Sequence, residues 1–303
     1  MPRVPRSAAG TEDTVETAVD PADLLELERL CVEFASEAGR FIRDERPSTV
    51  RVADTKSSET DVVTVMDRRS EALLHGLIRD ARPDDGILGE EGADVAGRSG
   101  LTWVVDPIDG TVNYLYDIPA YAVSVAVVVG DPATPGAWRP VAGAVSDPCR
   151  GLVHHARRGG GAWTRAAATP APPAGASPPP SPERRRLAAS TEEELGRALL
   201  ATGFGYEAQV RAAQAEVLRE VLPRVRDIRR IGSAALDLVR VADGSVDAYA
   251  ESGLKPWDLA AGWLVAEEAG ARVVGVAGHP GPELTVAAGP ALVEPVRRLF
   301  TGR

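Results

Sequence analysis

The chain contains few cysteines and few aromatic residues, and it has no long apolar run. Only two of its 303 residues are cysteines, Cys31 and Cys149, and 5% are aromatic. Two thiols provide no disulfide framework, so we expect both to be reduced and at least half-buried. No apolar stretch approaches the roughly 20 residues of a membrane-spanning helix, so we expect no membrane association. Residues 1–20 lack the apolar core of a signal peptide, so we expect a disordered extension there and a cytoplasmic location.

The chain also lacks an excess of basic residues. It carries 34 Lys and Arg against 44 Asp and Glu, which gives a net charge of −10. A general nucleic-acid-binding protein would present a basic surface, so we expect no nucleic-acid partner. An anionic substrate is still compatible with this charge, because bound divalent cations reverse the local sign.

What the sequence does contain is acidic residues at the ends of apolar runs. Residues 103–105 predict a buried strand, and Asp106 and Asp109 follow it before a turn at Gly110-Thr111. A buried strand rarely ends in paired carboxylates unless a cation neutralises them, and carboxylate oxygens are good Mg²⁺ ligands. The alternative is an ordinary strand that ends in an Asp-rich turn, since Asp and Gly are common in turns.

Two further acidic segments favour the metal site over the ordinary turn. Glu90 and Glu91 follow the apolar pair at 87–88, and Asp258 lies near the start of a helical pattern over 257–269. Taken alone, Asp258 would be interpreted as a helix N-cap. Three sets of acids at the ends of elements together predict a site for several Mg²⁺ ions.

Several segments occur in the order that is typical of one phosphatase family. They are Lys56-Ser57, 64–67, 89–91, 103–113, 232–235, Glu251, 257–262 and 267–270. On these segments the chain resembles the inositol monophosphatase family of Mg²⁺-dependent phosphatases over about residues 24–300. Haloacid-dehalogenase-type phosphatases use a different motif, Asp-x-Asp-Gly-Thr, whose first Asp is the nucleophile. Pro107 occupies that position here, so covalent aspartyl-phosphate chemistry is excluded.

The resemblance implies a fold of the α/β (α+β) class, a layered αβαβα sandwich of the sugar-phosphatase type. The order of the predicted elements, several strands in succession and then alternating strands and helices, predicts an α+β subdomain with the metal motifs over 21–165 and an α/β subdomain over 187–303. Between them, residues 166–186 are mainly Ala, Pro, Ser and Gly with some Arg, which predicts a proline-rich loop. The predicted helices are 22–46, a second one running through 72–78, and then 191–202, 208–222, 233–242, 257–269 and 291–300. The predicted strands include 121–129, 187–189, 228–231, 245–250 and 271–276.

The resemblance also implies a set of metal ligands. They are Glu90, Asp106, the backbone carbonyl of Ile108, Asp109 and Asp258. Together they would hold two to three Mg²⁺ ions, with Li⁺ as an expected inhibitor. For catalysis the resemblance implies Thr111 and Asp67, which orient the attacking water, together with Glu90.

For substrate binding the resemblance implies two groups of residues. The N–H groups of Gly110 and Thr111 would receive phosphate oxygens, while hydroxyls of the alcohol would meet Ser233, Ala234, Glu251 and Asp258. The implied function is hydrolysis of inositol monophosphate to inositol and phosphate by a metal-activated water, in a homodimer. Three alternatives stay open: a histidinol-phosphate phosphatase, a phosphatase for another sugar phosphate, and a protein-interaction role associated with transcription.

Overall fold

The computed structural model describes residues 19–56, 62–92, 94–167 and 183–302. Most of the predicted extension over 1–20 and of the predicted proline-rich loop over 166–186 lies outside the described residues. Within these ranges, no helix has both the length and the apolar character needed to cross a membrane. The cytoplasmic location, the homodimer and the division into subdomains stay predictions.

The first half of the described chain is rich in consecutive strands, whereas helices and strands alternate through most of the second half. The helices are α1 (Pro21–Asp44), α2 (Val65–Ala81), α3 (Thr111–Tyr116), α4 (Ala208–Val221), α5 (Ala234–Asp243), α6 (Pro256–Glu268) and α7 (Val293–Thr301). The strands are β1 (Val52–Thr55), β2 (Val62–Thr64), β3 (Gly86–Gly89), β4 (Leu101–Asp109), β5 (Ala122–Gly130), β6 (Trp138–Asp147), β7 (Leu152–Arg157), β8 (Ala162–Ala166), β9 (Arg185–Arg186), β10 (Leu199–Thr202), β11 (Asp227–Arg229), β12 (Ala248–Glu251), β13 (Arg272–Val274) and β14 (Thr285–Ala288).

The strands form two large sheets and a small hairpin. The seven-stranded sheet has the order β3-β4-β5-β6-β7-β8-β9, and all neighbours are antiparallel except the parallel pair of β3 and β4. The five-stranded sheet has the order β11-β10-β12-β14-β13, in which β10 is parallel to both of its neighbours. The hairpin pairs β1 with β2.

The layers follow the order helix, sheet, helix, sheet, helix. α1 and α2 pack on one face of the seven-stranded sheet, and α5 and α6 pack between the two sheets. α4 and α7 lie on the outer side of the five-stranded sheet. This arrangement confirms the predicted αβαβα fold class.

The sequence of α6 explains its place in the middle layer. Residues 259–266 contain no charged side chain and are all buried, as expected for a helix that is apolar on every side. A Cβ atom at Gly143 of β6 would lie 3.0 Å from the Cα of Ala261. The glycine therefore allows close packing of α6 on the seven-stranded sheet, which also fixes the position of the α6 N-terminus.

Most helices that were predicted from periodicity are confirmed, with small shifts at their ends. α1 places its apolar face, including Leu27, Leu30 and Phe34, against the sheet. It begins at Pro21 after Asp20, whose side chain accepts a hydrogen bond from the Ala22 N–H at 2.8 Å. The predictions for 208–222, 233–242, 257–269 and 291–300 correspond to α4, α5, α6 and α7.

The helix predicted over 191–202 is wrong. A single 3-10 turn occupies Leu195–Arg197, and Leu199–Thr202 is strand β10, paired on both sides. A short continuous apolar run fits a central strand as well as a buried helix, so periodicity alone could not separate them. The strand predicted over 187–189 also differs, because the chain pairs with β8 at Arg185–Arg186 instead. Strand β14 was not predicted.

Candidate active site

The pairing of β3 with β4 brings two acidic segments together. The two strands are parallel, and Gly89 is in register with Val105. Glu90 directly follows β3, and Asp106 directly follows Val105 within β4. The two acids therefore lie side by side at the same end of the two strands. The sequence showed two acids after two apolar runs, and the parallel register makes them neighbours.

The turn that follows Asp106 has a backbone that only glycine can complete. The pairing with β5 is irregular between Asp106 and Asp109, and the Ile108 N–H donates to Asp106 Oδ1 at 3.0 Å. Gly110 has a φ of +96°. A Cβ atom on it would lie 2.9 Å from the Gly232 carbonyl oxygen. The left-handed backbone and this close approach both require glycine here.

Asp258 enters the site from the first turn of α6. It is the third residue of that helix, and its Oδ2 accepts the Lys255 N–H at 2.7 Å. The helix-capping interpretation of Asp258 and its place among the clustered acids are therefore compatible. One carboxylate oxygen can close the helix end while the other is left for a ligand.

Asp106, Asp109 and Asp258 form a carboxylate cluster. One carboxylate oxygen from each lies within 4.8 Å of those from the other two. Asp106 and Asp109 are buried, whereas Asp258 is half-buried. Burial is the main cause that raises the pKa of each, and repulsion from neighbouring acids adds to it for Asp106 and Asp258, whereas hydrogen bonds from Ser233 and from the N-terminus of α5 lower the pKa of Asp109. The pKa of Asp109 rises to about 6, and those of Asp106 and Asp258 rise well above their usual range.

The chemistry of this carboxylate cluster fits a hard divalent cation. All of the side-chain atoms that the cluster offers as metal ligands are carboxylate oxygens, which Mg²⁺ prefers over nitrogen or sulfur. A cation among them would offset the repulsion that contributes to the raised pKa values of Asp106 and Asp258. Glu90 lies next to the cluster, and its charge is among the causes of the raised pKa of Asp106.

Lys56 contacts the acids at the end of β3. Its Nζ lies 2.8 Å from Glu90 Oε1 and 2.7 Å from Glu91 Oε1. Burial raises the pKa of Glu90 to about 7, although the Lys56 ammonium acts in the opposite direction. The sequence placed Lys56 in a matching segment, but the double contact depends on the β1–β2 hairpin and could not be predicted.

Thr111 and Asp67 are in contact, as the resemblance implied. Thr111 Oγ1 lies 3.0 Å from Asp67 Oδ1 and 3.0 Å from the Ile108 carbonyl oxygen. Asp67 is buried in the first turn of α2, where the Thr64 N–H donates to its Oδ2 at 2.8 Å. Burial raises the pKa of Asp67. Ser70, one turn further along α2, donates to the Pro107 carbonyl at 3.2 Å, which ties this helix to the turn after β4.

The N-terminus of α5 orients Asp109. Asp109 Oδ2 accepts hydrogen bonds from Ser233 Oγ at 2.6 Å and from the Ala235 N–H at 2.7 Å. The Ala234 N–H donates to Oδ1 at 3.3 Å. Ser233 and Ala234, which the resemblance assigned to the substrate, thus contact a predicted metal ligand in this structure. The positive end of the helix also favours the ionised carboxylate.

A cleft of about 120 Å³ lies between the carboxylate cluster and Glu251. Its lining includes Asp109, Asp258, Ser233, Ala234 and Glu251, all predicted site residues. Glu251 Oε2 accepts the Tyr249 hydroxyl at 2.6 Å. Burial raises the pKa of Glu251 to about 7.

Two charged residues of the cleft were not predicted. Arg230 lines the cleft, and its positive charge opposes the burial that raises the pKa values of Asp109 and Glu251. Asp237 lines it as well, and burial raises its pKa to about 8. The sequence offered no signal for either one, because Arg230 lies in a mixed segment and Asp237 in an ordinary amphipathic helix.

Comparisons with known proteins show which chains this one is similar to. The model of the inositol monophosphatase family matches residues 23–301. A Mycobacterium tuberculosis relative, named inositol-1-monophosphatase SuhB, is 43% identical over 262 residues, which cover 82% of this chain and 83% of the relative. The solved structure of Mycobacterium tuberculosis SuhB has a TM-score of 0.72 at 42% identity, covering 92% of this chain and 96% of that one. A Xylella fastidiosa relative, named Nus factor SuhB, is 36% identical over 256 residues and covers 84% of each chain.

Proposed function

Because the chain belongs to the inositol monophosphatase family, we propose that it is a Mg²⁺-dependent phosphatase that hydrolyses inositol monophosphate to inositol and phosphate. The observation that carries this proposal is the carboxylate cluster of Asp106, Asp109 and Asp258, whose oxygens converge within 4.8 Å. Acids in such a small volume are costly unless a cation is bound among them.

The proposed metal ligands are those carboxylates together with Glu90 and the carbonyl oxygen of Ile108. Bound Mg²⁺ would acidify the attacking water, neutralise phosphate charge and stabilise the leaving oxygen. The α5 donors hold the Asp109 carboxylate in one orientation. Such outer contacts fix the direction of a ligand's lone pairs before a cation binds.

Thr111 and Asp67 are proposed to position the water that attacks phosphorus. The Thr111 hydroxyl has one hydrogen, and both of its neighbours at 3.0 Å are acceptors, Asp67 Oδ1 and the Ile108 carbonyl. Donation to either one leaves an oxygen lone pair of Thr111 to accept a hydrogen from the water. The raised pKa of Asp67 brings that carboxylate closer to the range in which a general base is effective.

The alcohol part of the substrate is proposed to lie against Glu251 and the N-terminus of α5. A polyol hydroxyl can donate to the Glu251 carboxylate, which the Tyr249 hydroxyl already orients. Ser233 and Ala234 line the same cleft. A site that is built to bind hydroxyls discriminates against esters that lack them, because its polar groups are then left unpaired.

Metal-depleted protein with Mg²⁺ added back tests the proposal. We expect hydrolysis of inositol 1-phosphate only after Mg²⁺ is added, with a higher specificity constant than for histidinol phosphate or adenosine 3′,5′-bisphosphate. A preference of tenfold or more for histidinol phosphate, about 1.4 kcal/mol, would contradict the substrate and leave the metal site standing. Hydrolysis at full rate without any divalent cation would contradict the metal site itself.

The second candidate function is a protein-interaction role associated with transcription. It is favoured by relatives that carry the name Nus factor SuhB, including the one from Xylella fastidiosa. The complete set of acids favours catalysis but does not conflict with an additional role. A variant without phosphatase activity, Asp106→Asn, separates the two: restored growth of cells that lack the gene would support the interaction role.

A further inference from the structure

A second cavity adjoins the active-site cleft. It has a volume of about 370 Å³ and lies between α4, α7 and the ends of β10 and β12. Most of its wall is apolar and includes Phe204, Val217, Leu218, Leu284 and Phe300. A concave, mainly apolar volume of this size with a few polar groups is typical of a small-molecule site.

The cavity and the cleft share one wall. Gly203, Phe204, Glu251 and Ser252 line both of them. Gly203 has no side chain, and a Cβ atom there would lie only 2.0 Å from Glu251 Oε2. The Glu251 carboxylate therefore lies in the space that the glycine leaves free. A group that contacts Glu251 in the cleft is thus close to residues that also line the cavity.

Hydrogen bonds from α4 hold this shared wall in place. The Gly205 N–H donates to Gln214 Oε1 at 2.9 Å, and Gln214 Nε2 donates to Ser252 Oγ at 3.2 Å. The segment after β10 and the segment after β12 are therefore tied together through one side chain. A wall that is fixed in advance costs less ordering free energy when a ligand binds.

The charges around the cavity select an uncharged group. Glu251 and Glu283 contribute carboxylates to its lining, and Arg297 contributes a guanidinium. Arg297 is already paired with Glu294 at 2.9 Å. A second phosphate or a carboxylate would therefore meet two acids and a base that is already engaged, whereas a hydrocarbon group would meet mostly apolar side chains.

We propose that the cavity binds an uncharged aryl or alkyl group attached to the alcohol part of the substrate. The substrate class then includes polyol phosphates that carry an apolar ether as well as bare polyol phosphates. A cavity of about 150 Å³ is large enough for benzene, so a benzyl group fits within 370 Å³. The inference rests on the proposed function, because it takes the group that contacts Glu251 in the cleft to be the alcohol part of a phosphate ester.

Two esters that differ only by the apolar group test the proposal. The specificity constant for the 1-O-benzyl ether of glycerol 3-phosphate should exceed that for glycerol 3-phosphate by tenfold or more. Val276 lines the cavity and is 43% exposed, so Val276→Trp can fill the cavity from its rim without disturbing the core. This variant should lose the preference and keep its activity on glycerol 3-phosphate. Leu25→Trp, at a 54% exposed position on α1, is the matched control and should keep both.

Calorimetry with the alcohol alone gives a readout that does not depend on catalysis. In metal-free buffer, 1-O-benzylglycerol should bind to the wild type and to Leu25→Trp, and at least tenfold more weakly to Val276→Trp. Equal specificity constants for the two esters, or equal binding by all three proteins, would overturn the cavity proposal. Binding as expected, with neither ester hydrolysed in Mg²⁺, would overturn the proposed phosphatase function and support the cavity.

Discussion

Replacing Asp106 by Asn should stabilise the metal-free protein and at the same time abolish Mg²⁺-dependent catalysis. Asp106 is 1% exposed, and its Oδ1 accepts the Ile108 N–H at 3.0 Å. Asparagine keeps that acceptor and nearly the same volume, so the turn after β4 should be preserved. The variant removes one negative charge from the carboxylate cluster and little else.

The magnitude follows from the spacing of the carboxylates. The carboxylate oxygens lie within 4.8 Å of one another, and two full charges at that distance repel each other by about 3.5 kcal/mol at an effective dielectric constant near 20. Partial protonation reduces this value, since the pKa values of the acids are raised. We therefore expect the metal-free variant to gain about 1–3 kcal/mol in unfolding free energy at pH 8. The wild type should gain about 2.7 kcal/mol from Mg²⁺ at 100 times its Kd, and the variant should gain almost none.

The assay combines thermal unfolding with steady-state kinetics, each with and without Mg²⁺. Loss of a ligand to the cation should reduce the specificity constant by about 10³-fold or more. Asp80→Asn, at an exposed position on α2, makes the same chemical change and should leave both measurements unaltered. Near-normal turnover of Asp106→Asn at saturating Mg²⁺, or a metal-free variant less stable than the wild type, would refute the reasoning.

Three further predictions follow from the same geometry. Thr111→Ala should lower kcat by about 10²-fold or more with little change in KM, because a water-orienting hydroxyl acts mainly in the transition state; Thr111→Ser should retain most of the activity, and a changed KM alone would indicate a binding role. Gly110→Ala should destabilise the fold by about 2–4 kcal/mol in chemical denaturation, since φ is +96° and its Cβ would lie 2.9 Å from the Gly232 carbonyl oxygen; an unchanged midpoint would contradict the close approach. The Mg²⁺-induced rise in Tm should increase from pH 5.5 to 8, because cation binding requires deprotonated acids and the pKa values of Asp109 and Glu90 are about 6 and about 7. Since these folded-state pKa values lie above the ordinary ones of 3.8 and 4.5, the two acids should make metal-free protein less stable as pH rises from about 3.8 to about 7. A Mg²⁺ effect independent of pH would exclude their participation.

The predictions from periodicity succeeded where one element buries one face. α1 and α5 have apolar residues at helical spacing, and both were predicted within a few residues of their ends. The pattern is local because each helix closes its own backbone hydrogen bonds. It failed for β10, where a short apolar run is paired on both sides by strands from elsewhere in the chain. Only those long-range partners make that run a strand.

For the candidate site, the sequence alone determined the chemistry of the acids. Asp106 and Asp109 lie three positions apart after an apolar run, followed by the Gly110 that the left-handed turn requires. Both the residue types and this short spacing are local properties. Together with the acids at 90–91 and 258 they predicted an oxygen-rich cation site. The ordered series of matching segments along the chain predicted the family, and the family match confirms that prediction.

The tertiary structure decided which acids meet and what faces them. Asp258 is about 150 positions from Asp106 in the sequence, and their oxygens come within 4.8 Å because α6 is packed between the two sheets. The salt bridges of Lys56 and the cavity beside Glu251 depend on other long-range contacts. Proximity of this kind arises from the packing of whole layers, and neither composition nor periodicity carries information about which distant segments that packing brings together.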